Sequence, residues 1–361
     1  MLQPTPGAAR PPLPPRLGFD VHVLPDPHHT DTVGLHLVGD TAYSLAGFRG
    51  QMTAAEVAQT QAADPAKVIG EPDIRDMRDK PWSAIDNKSS KDPDQVSFAE
   101  RLPDGSTRVY VAAADVDGLV SQNSPLDQRA MDNMTTIYTD LQDYTMLPTD
   151  FCQDKTVLLQ GKDRAALVTE FVVTPQGDVK DAKIYRADVN NHCQLNYDEV
   201  DQWFGDHQQV PPTMAGQAAM AEQLNLQDEA SQWIEHGEVQ KGRPPAHAPK
   251  GAEHSGEAMR LVEMQMRTVN RVTANYLLTH GFPAIVKTRD VTPQNWAKIR
   301  ALAPNLPEVP DNVALQGFMD DQKKLGADHF QQLQKQVSTL LGRPRDTVAV
   351  PGHEHELFNM G

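Results

Sequence analysis

Residues 84–116, AIDNKSSKDPDQVSFAERLPDGSTRVYVAAADV, decide the fold. Two runs rich in valine, aromatic and alternating residues, 96–102 and 107–116, flank the turn tetrapeptide Pro103-Asp104-Gly105-Ser106. That pattern predicts two antiparallel strands joined by a tight turn. Just before the first strand, Asp86, Asp92 and Asp94 fall within nine residues, and the acidic run closes in an amide, Gln95. Spacing alone leaves two readings open, a solvated acidic loop or a divalent-metal site. Magnesium takes oxygen ligands, a few carboxylates together with water and phosphate oxygens. Asp92 and Asp94 flank Pro93, an irregular loop can bring Asp86 back to them, and Lys88 and Lys91 soften their repulsion. An EF-hand calcium loop is excluded, because its turn glycine and closing glutamate are missing at their spacings.

Working outward, residues 166–189 repeat the strand–turn–strand pattern around TPQGD. Downstream, helical periodicity takes over in 196–204, 215–236, from about Glu257 to near Gly281, and at about 292–303 and 318–341. Residues 236–256, rich in proline, glycine and histidine, read as a loop, and the acidic helix 196–204 as a solvated face. Upstream, 33–38 and 41–45 read as two short strands around Gly39-Asp40, followed by a helix that Thr53 caps and Asp64-Pro65 ends. Hairpins first and helices later predict an α+β class. The expected organisation is a proline-rich leader at 1–16, a small α+β unit at 17–80 and a main domain at 81–361.

The chain has 361 residues, 33 basic against 49 acidic, for a net charge of −16. Such a balance argues against wrapping nucleic acid with a basic surface, though not against a single basic channel. Two cysteines, Cys152 and Cys193, make no disulfide framework and are expected to be ordinary buried or half-buried thiols in a reducing compartment. The first sixteen residues hold six prolines and no apolar core, so they are not a secretory signal. No apolar run is long enough to span a bilayer. A cytoplasmic protein without a membrane partner is expected. The histidines of 353–356 (HEHE) and of 27–30 (PHHT) lack zinc-site spacing and read as surface loops.

Taken together, 84–116, LDQRA at 126–130, TTIY with MLP at 135–148, and the strand ending IYRADV resemble the RNB catalytic domain of the RNase II/RNase R exoribonucleases. LNYDEV at 195–200 is similar to that family's Leu-x-Tyr-x-x-Val motif, and 260–277 to its core helix bearing glutamate and asparagine. The resemblance covers roughly residues 75 to 361.

It implies magnesium-dependent 3′→5′ hydrolysis of single-stranded RNA to nucleoside 5′-monophosphates, by a monomer. Four aspartates hold the metal in that family; Asp86, Asp92 and Asp94 fall on the first three, and Gln95 stands at the fourth. Asp92 and Asp94 inherit catalytic roles, and Tyr138 the role of stacking against bases at the RNA end. Three departures follow. Gln95 brings no charge, the family's Thr-Ser-Pro-Ile-Arg-Arg-Tyr segment is not found before Gly361, and the flanking OB-type domains are not found. In addition, the loop around Pro244–Gly251 replaces an apolar clamp for RNA. These departures leave a second reading, an RNB-derived RNA-binding or regulatory protein with weakened catalysis, and a third, an incomplete chain.

Overall fold

The computed structural model describes residues 32–137, 139, 142–206, 210–215, 217–240, 256–289, 291–324, 327–342 and 344–351. The two expected hairpins are both present: β3 (Gln95–Arg101) with β4 (Thr107–Ala114), and β5 (Asp163–Val173) with β6 (Val179–Asn190). Their turns work because Gly105 and Gly177 take left-handed backbone angles, φ 84° and 82°. β4 also pairs antiparallel with β5, so the four strands form one meander.

Three short strands extend it. β1 (Arg75–Asp76) joins β6 in parallel, while β2 (Ser83–Asp86) pairs antiparallel with β3 and parallel with β7 (Cys193–Asn196). The resulting seven-stranded sheet runs β1-β6-β5-β4-β3-β2-β7. With the helices it confirms the α+β class.

Strand alternation gives the sheet two apolar faces. Trp82, Val96, Phe98, Tyr110, Val168 and Ala187 share one core, with Phe98 stacked on Tyr110 at 4.3 Å between ring centroids. The other face carries Ala99, Val109, Val111 and Phe171 against Ala230 and Ile234 of α5 (Ala218–Gln240) and Met264 of α6 (Glu257–Thr279). At the β2–β7 edge, Ile85 and Leu195 pack with Val200, Trp203 and Phe204 of α4 (Tyr197–Asp206).

Several expectations need correction. Residues 32–45 form one helix, α1 (Thr32–Leu45), and not two strands around a turn. Gly39 sits inside that helix, where a Cβ would lie 2.5 Å from the Tyr144 hydroxyl, so the glycine marks a close approach to Tyr144 and not a turn. Next, α5 continues through Gln240, into the stretch read as a loop. Nor is α4 merely a solvated face, because the Asp201 carboxylate accepts the Ala258 N–H at 2.8 Å and caps α6, whose own Gly256 offers no side chain. The stretch 318–341 is two helices, α8 (Asn312–Lys323) and α9 (Ala327–Leu341).

Two of the remaining helices follow expectation. Thr53 and Glu56 form a reciprocal capping box on α2 (Ala54–Ala62), and α7 spans Pro293–Leu302. A short α3 (Pro125–Asn133) carries the LDQRA motif. Besides α3 and the short strands β1, β2 and β7, a two-stranded ribbon went unpredicted from the sequence, β8 (Ala284–Arg289) with β9 (Pro344–Ala349), between which α7–α9 are inserted. Cys152 is half-buried and Cys193 buried, and both are free thiols. Among the described residues no helix is long and apolar enough to cross a membrane. The HEHE and PHHT histidines lie outside the described residues, as does the Pro244–Gly251 loop.

Candidate active site

Asp86 ends β2, and Asp92 and Asp94 lie on the loop that carries the chain into β3. That loop is anchored at several points. The Pro93 carbonyl accepts the Leu158 N–H at 2.7 Å, and the Asp94 carbonyl accepts the Ala114 N–H at 3.0 Å. Pro93 itself is buried, with Asp92 half-buried and Asp94 exposed on either side of it. Within the loop, Asp86 Oδ1 accepts the Asn87 N–H at 2.7 Å and Asp92 Oδ1 accepts the Ser90 hydroxyl at 3.2 Å.

Asp94 feels the other two carboxylates. Desolvation raises the Asp94 pKa above the ordinary carboxylate range, and the charges on Asp86 and Asp92 raise it further. Tyr197, where β7 passes into α4, is pushed up to about 12, by burial first and then by the Asp86 charge. Burial likewise raises the Cys152 thiol, with a further contribution from Asp92. A negative field therefore gathers around the loop. Even so, among the described residues no three of His, Cys, Asp and Glu stand close enough to clasp a metal ion. The donors are all hard oxygens, which suit a hard divalent cation that keeps some of its water.

Gln95 is half-buried at the start of β3 and lines a small cavity with Ser83, Ile85, Ser97, Val262 and Gln265. Behind the cavity runs an uncharged relay that sequence reasoning missed. Gln227 Oε1 accepts both the Ser97 hydroxyl at 2.7 Å and Gln265 Nε2 at 2.6 Å, its own amide donates to Gln223, and Gln223 Nε2 donates to the Ser83 hydroxyl at 3.2 Å. The relay ties β2 and β3 to α5 and α6 close to Gln95. Its members are scattered glutamines and serines, which carry no local motif. Tyr138 lies outside the described residues.

The RNB domain family model matches residues 74–349, which takes in the meander, the aspartate loop and α3 to α9. The chain belongs to the RNB domain family. An RNB-domain relative, Exoribonuclease 2 of Vibrio cholerae, is 26% identical over 223 residues, covering 61% of this chain and 32% of that protein. The chain thus spans about a third of the length of the curated relatives it matches first. Mycoplasma genitalium RNase R, solved with ribose-methylated single-stranded RNA, superposes with a TM-score of 0.67 at 18% identity, over 86% of this chain and 51% of that one. Yeast Ssd1, described as a pseudonuclease, superposes with a TM-score of 0.54 at 14% identity, over 80% and 37% of the two chains. At such identities both likenesses speak to the RNB fold alone.

Proposed function

We propose that this RNB protein is a magnesium-dependent 3′→5′ exoribonuclease that hydrolyses single-stranded RNA to nucleoside 5′-monophosphates. The observation that carries this reading is the loop, anchored at Pro93 and Asp94, that brings Asp86, Asp92 and Asp94 together at the head of β3, where desolvation first and then the charges of Asp86 and Asp92 raise the pKa of Asp94. A cation that drew the three carboxylates together would offset their mutual repulsion. Asp86, Asp92 and Asp94 would hold the ion, with the neutral oxygen of Gln95 beside them. Magnesium supplies a Lewis acid that polarises the phosphate and makes bound water more acidic.

The chain's own residues do the rest. Asp94, at the mouth of β3, would orient the attacking water and accept its proton. The water oxygen bonds to phosphorus as the bond to the preceding 3′ oxygen breaks, and that oxygen takes a proton from solvent to become the new 3′ hydroxyl of the shortened RNA. Tyr138 stacks on a terminal base, an interaction of about 1–3 kcal/mol that tolerates any sequence. In the same reading the catalytic domain spans 81–361, after a small unit at 17–80 and a leader at 1–16, and the protein works as a cytoplasmic monomer.

Gln95 favours a second reading, an RNB protein that binds RNA and has lost efficient catalysis. The test incubates 5′-labelled single-stranded RNA and magnesium with the protein and with Asp94→Asn and Gln95→Asp variants. A ladder of 3′-shortened products that Asp94→Asn abolishes is expected. RNA binding with no shortening in any of the three would sink the enzyme reading. Shortening by Gln95→Asp alone would establish the second one.

A further inference from the structure

Gln95 is the neutral member of the proposed cation site, and an amide serves there only one way round. Its oxygen suits a cation, whereas its NH2 end carries donor protons and is repelled. The hydrogen bonds within the aspartate loop join Asp86 to Asn87 and Asp92 to Ser90, and do not reach Gln95. The choice falls to the side that Gln95 shares with α6.

β2 and β3 pair at Ser83 and Ser97, and strand alternation sets Ile85 and Gln95 on the same side as these two serines. Together they line the cavity that Val262 and Gln265 of α6 close. It leaves about 10 Å³ for the centre of a water molecule, enough for a single water. Its other lining residues are apolar, so Gln95 meets polar groups there only in Ser83, Ser97 and Gln265.

The hydrogen bonds of these three run in one direction. The Ser97 hydroxyl donates to Gln227 Oε1 at 2.7 Å and the Ser83 hydroxyl to the Ser97 carbonyl at 3.4 Å, so both serine protons are spent. Gln265, 4% exposed, turns its Nε2 to Gln227 Oε1 at 2.6 Å, which leaves its oxygen unclaimed by the relay. What these groups chiefly retain is acceptor capacity. An acceptor-rich cavity takes the NH2 end of Gln95 and leaves the oxygen for the loop.

We propose that Gln265 takes the Gln95 amide N–H through one water in this cavity, and so holds the Gln95 oxygen toward Asp86, Asp92 and Asp94. This rests on the reading of the aspartate loop as a cation site. Gln265 is a positioning residue, fixed in turn by Gln227, and it orients a neutral ligand that has no charge to orient itself.

The test titrates manganese alone, a stand-in for magnesium that electron paramagnetic resonance reads, into the full chain and its variants. These are Asp86→Asn, Gln95→Ala, Gln265→Met, Gln95→Ala with Gln265→Met, Gln95→Glu, and Gln95→Glu with Gln265→Met, each with a thermal melt. Methionine at 265 keeps the length of the side chain and removes its oxygen. Gln95→Ala and Gln265→Met are each expected to weaken manganese binding about tenfold, as loss of a ligand's supporting partner does, and the pair no more than Gln95→Ala alone. A carboxylate carries oxygen at both ends of its head and needs no orienting, so Gln265→Met should cost no affinity in the Gln95→Glu background. An equal loss in both backgrounds, or none in either, overturns the positioning role.

If Gln95→Ala leaves binding unchanged while Asp86→Asn weakens it, the positioning role falls and the cation reading stands. If neither weakens it, the cation reading falls and takes the positioning role with it. Should Gln265→Met melt below the temperature of the titration, side-chain amide NMR of the unsubstituted protein decides. The Gln95 Nε2 protons are then expected to exchange with water several-fold more slowly than those of an exposed glutamine, and equal exchange overturns the proposal.

Discussion

Asp188 sits on β6 only 2% exposed, with one oxygen bonded to the Gly70 N–H at 2.9 Å and the other, Oδ1, buried without a hydrogen bond among the described residues. Burial raises its pKa above the ordinary value of 3.8. The folded chain therefore holds this proton more tightly than the unfolded one. Its contribution favours folding below about pH 4 and is lost as pH rises through the raised value. Asp188→Asn should remove that loss while keeping an oxygen for Gly70. The difference in melting temperature between variant and parent is expected to grow from about pH 3 toward neutrality, and a difference independent of pH would contradict it. Asp94 is raised for a second reason besides burial, its acidic neighbours, and that part a cation can relieve. The three aspartates were legible because a family motif is local. The Ser97–Gln227–Gln265 relay was not, because each link joins residues far apart in sequence.

At the scale of elements, α3 ends on Met134 in the left-handed region, φ 59°, with its side chain 74% exposed. Nothing buried holds that side chain, so Met134→Gly should relieve the backbone and stabilise the fold by about 1 kcal/mol, read from denaturant midpoints at constant slope. The opposite sign is expected at Glu56. This carboxylate is 1% exposed, pairs with Arg49 and Arg129, and accepts the Thr53 N–H at 2.7 Å. Glu56→Gln leaves Arg129, 5% exposed, without its counter-charge, and a loss of about 3–5 kcal/mol is expected in the same measurement. Both hairpins could be read from the chain because Pro-Asp-Gly-Ser and Thr-Pro-Gln-Gly-Asp state their turns locally. α1 could not. Gly39-Asp40 signals a turn, but the glycine there serves a close approach to Tyr144, which only the folded chain supplies.

Over the whole molecule, α7, α8 and α9 enclose a core of their own, in which Trp296, Ile299, Leu315, Met319, Phe330 and Val337 meet one another and not the large sheet. The chain enters this unit from β8 and leaves it into β9, so the ribbon is its common base. Native-state hydrogen exchange should show the three helices opening together, at lower free energy than β4 and β5 at the centre of the sheet. Simultaneous exchange of both regions would show a single cooperative unit instead. The ribbon itself left no trace in the sequence, since Ile285 and Val348, paired across its outer face, are 75% and 61% exposed and break the usual apolar pattern.

The parallel pairing of β2 with β7 also orders events in time. Ser83–Asp86 is fixed on one side by β3, which follows almost at once, but on the other by Cys193–Asn196, which leaves the ribosome much later. The β3–β6 meander forms from near neighbours, whereas the strand that presents Asp86 needs a distant partner, and such closures come slowly. During synthesis the scaffold should thus stand before Asp86 is clamped between β3 and β7. The acidic centre would be completed after the meander but before α5 and α6, which follow β7 in the chain, close behind it.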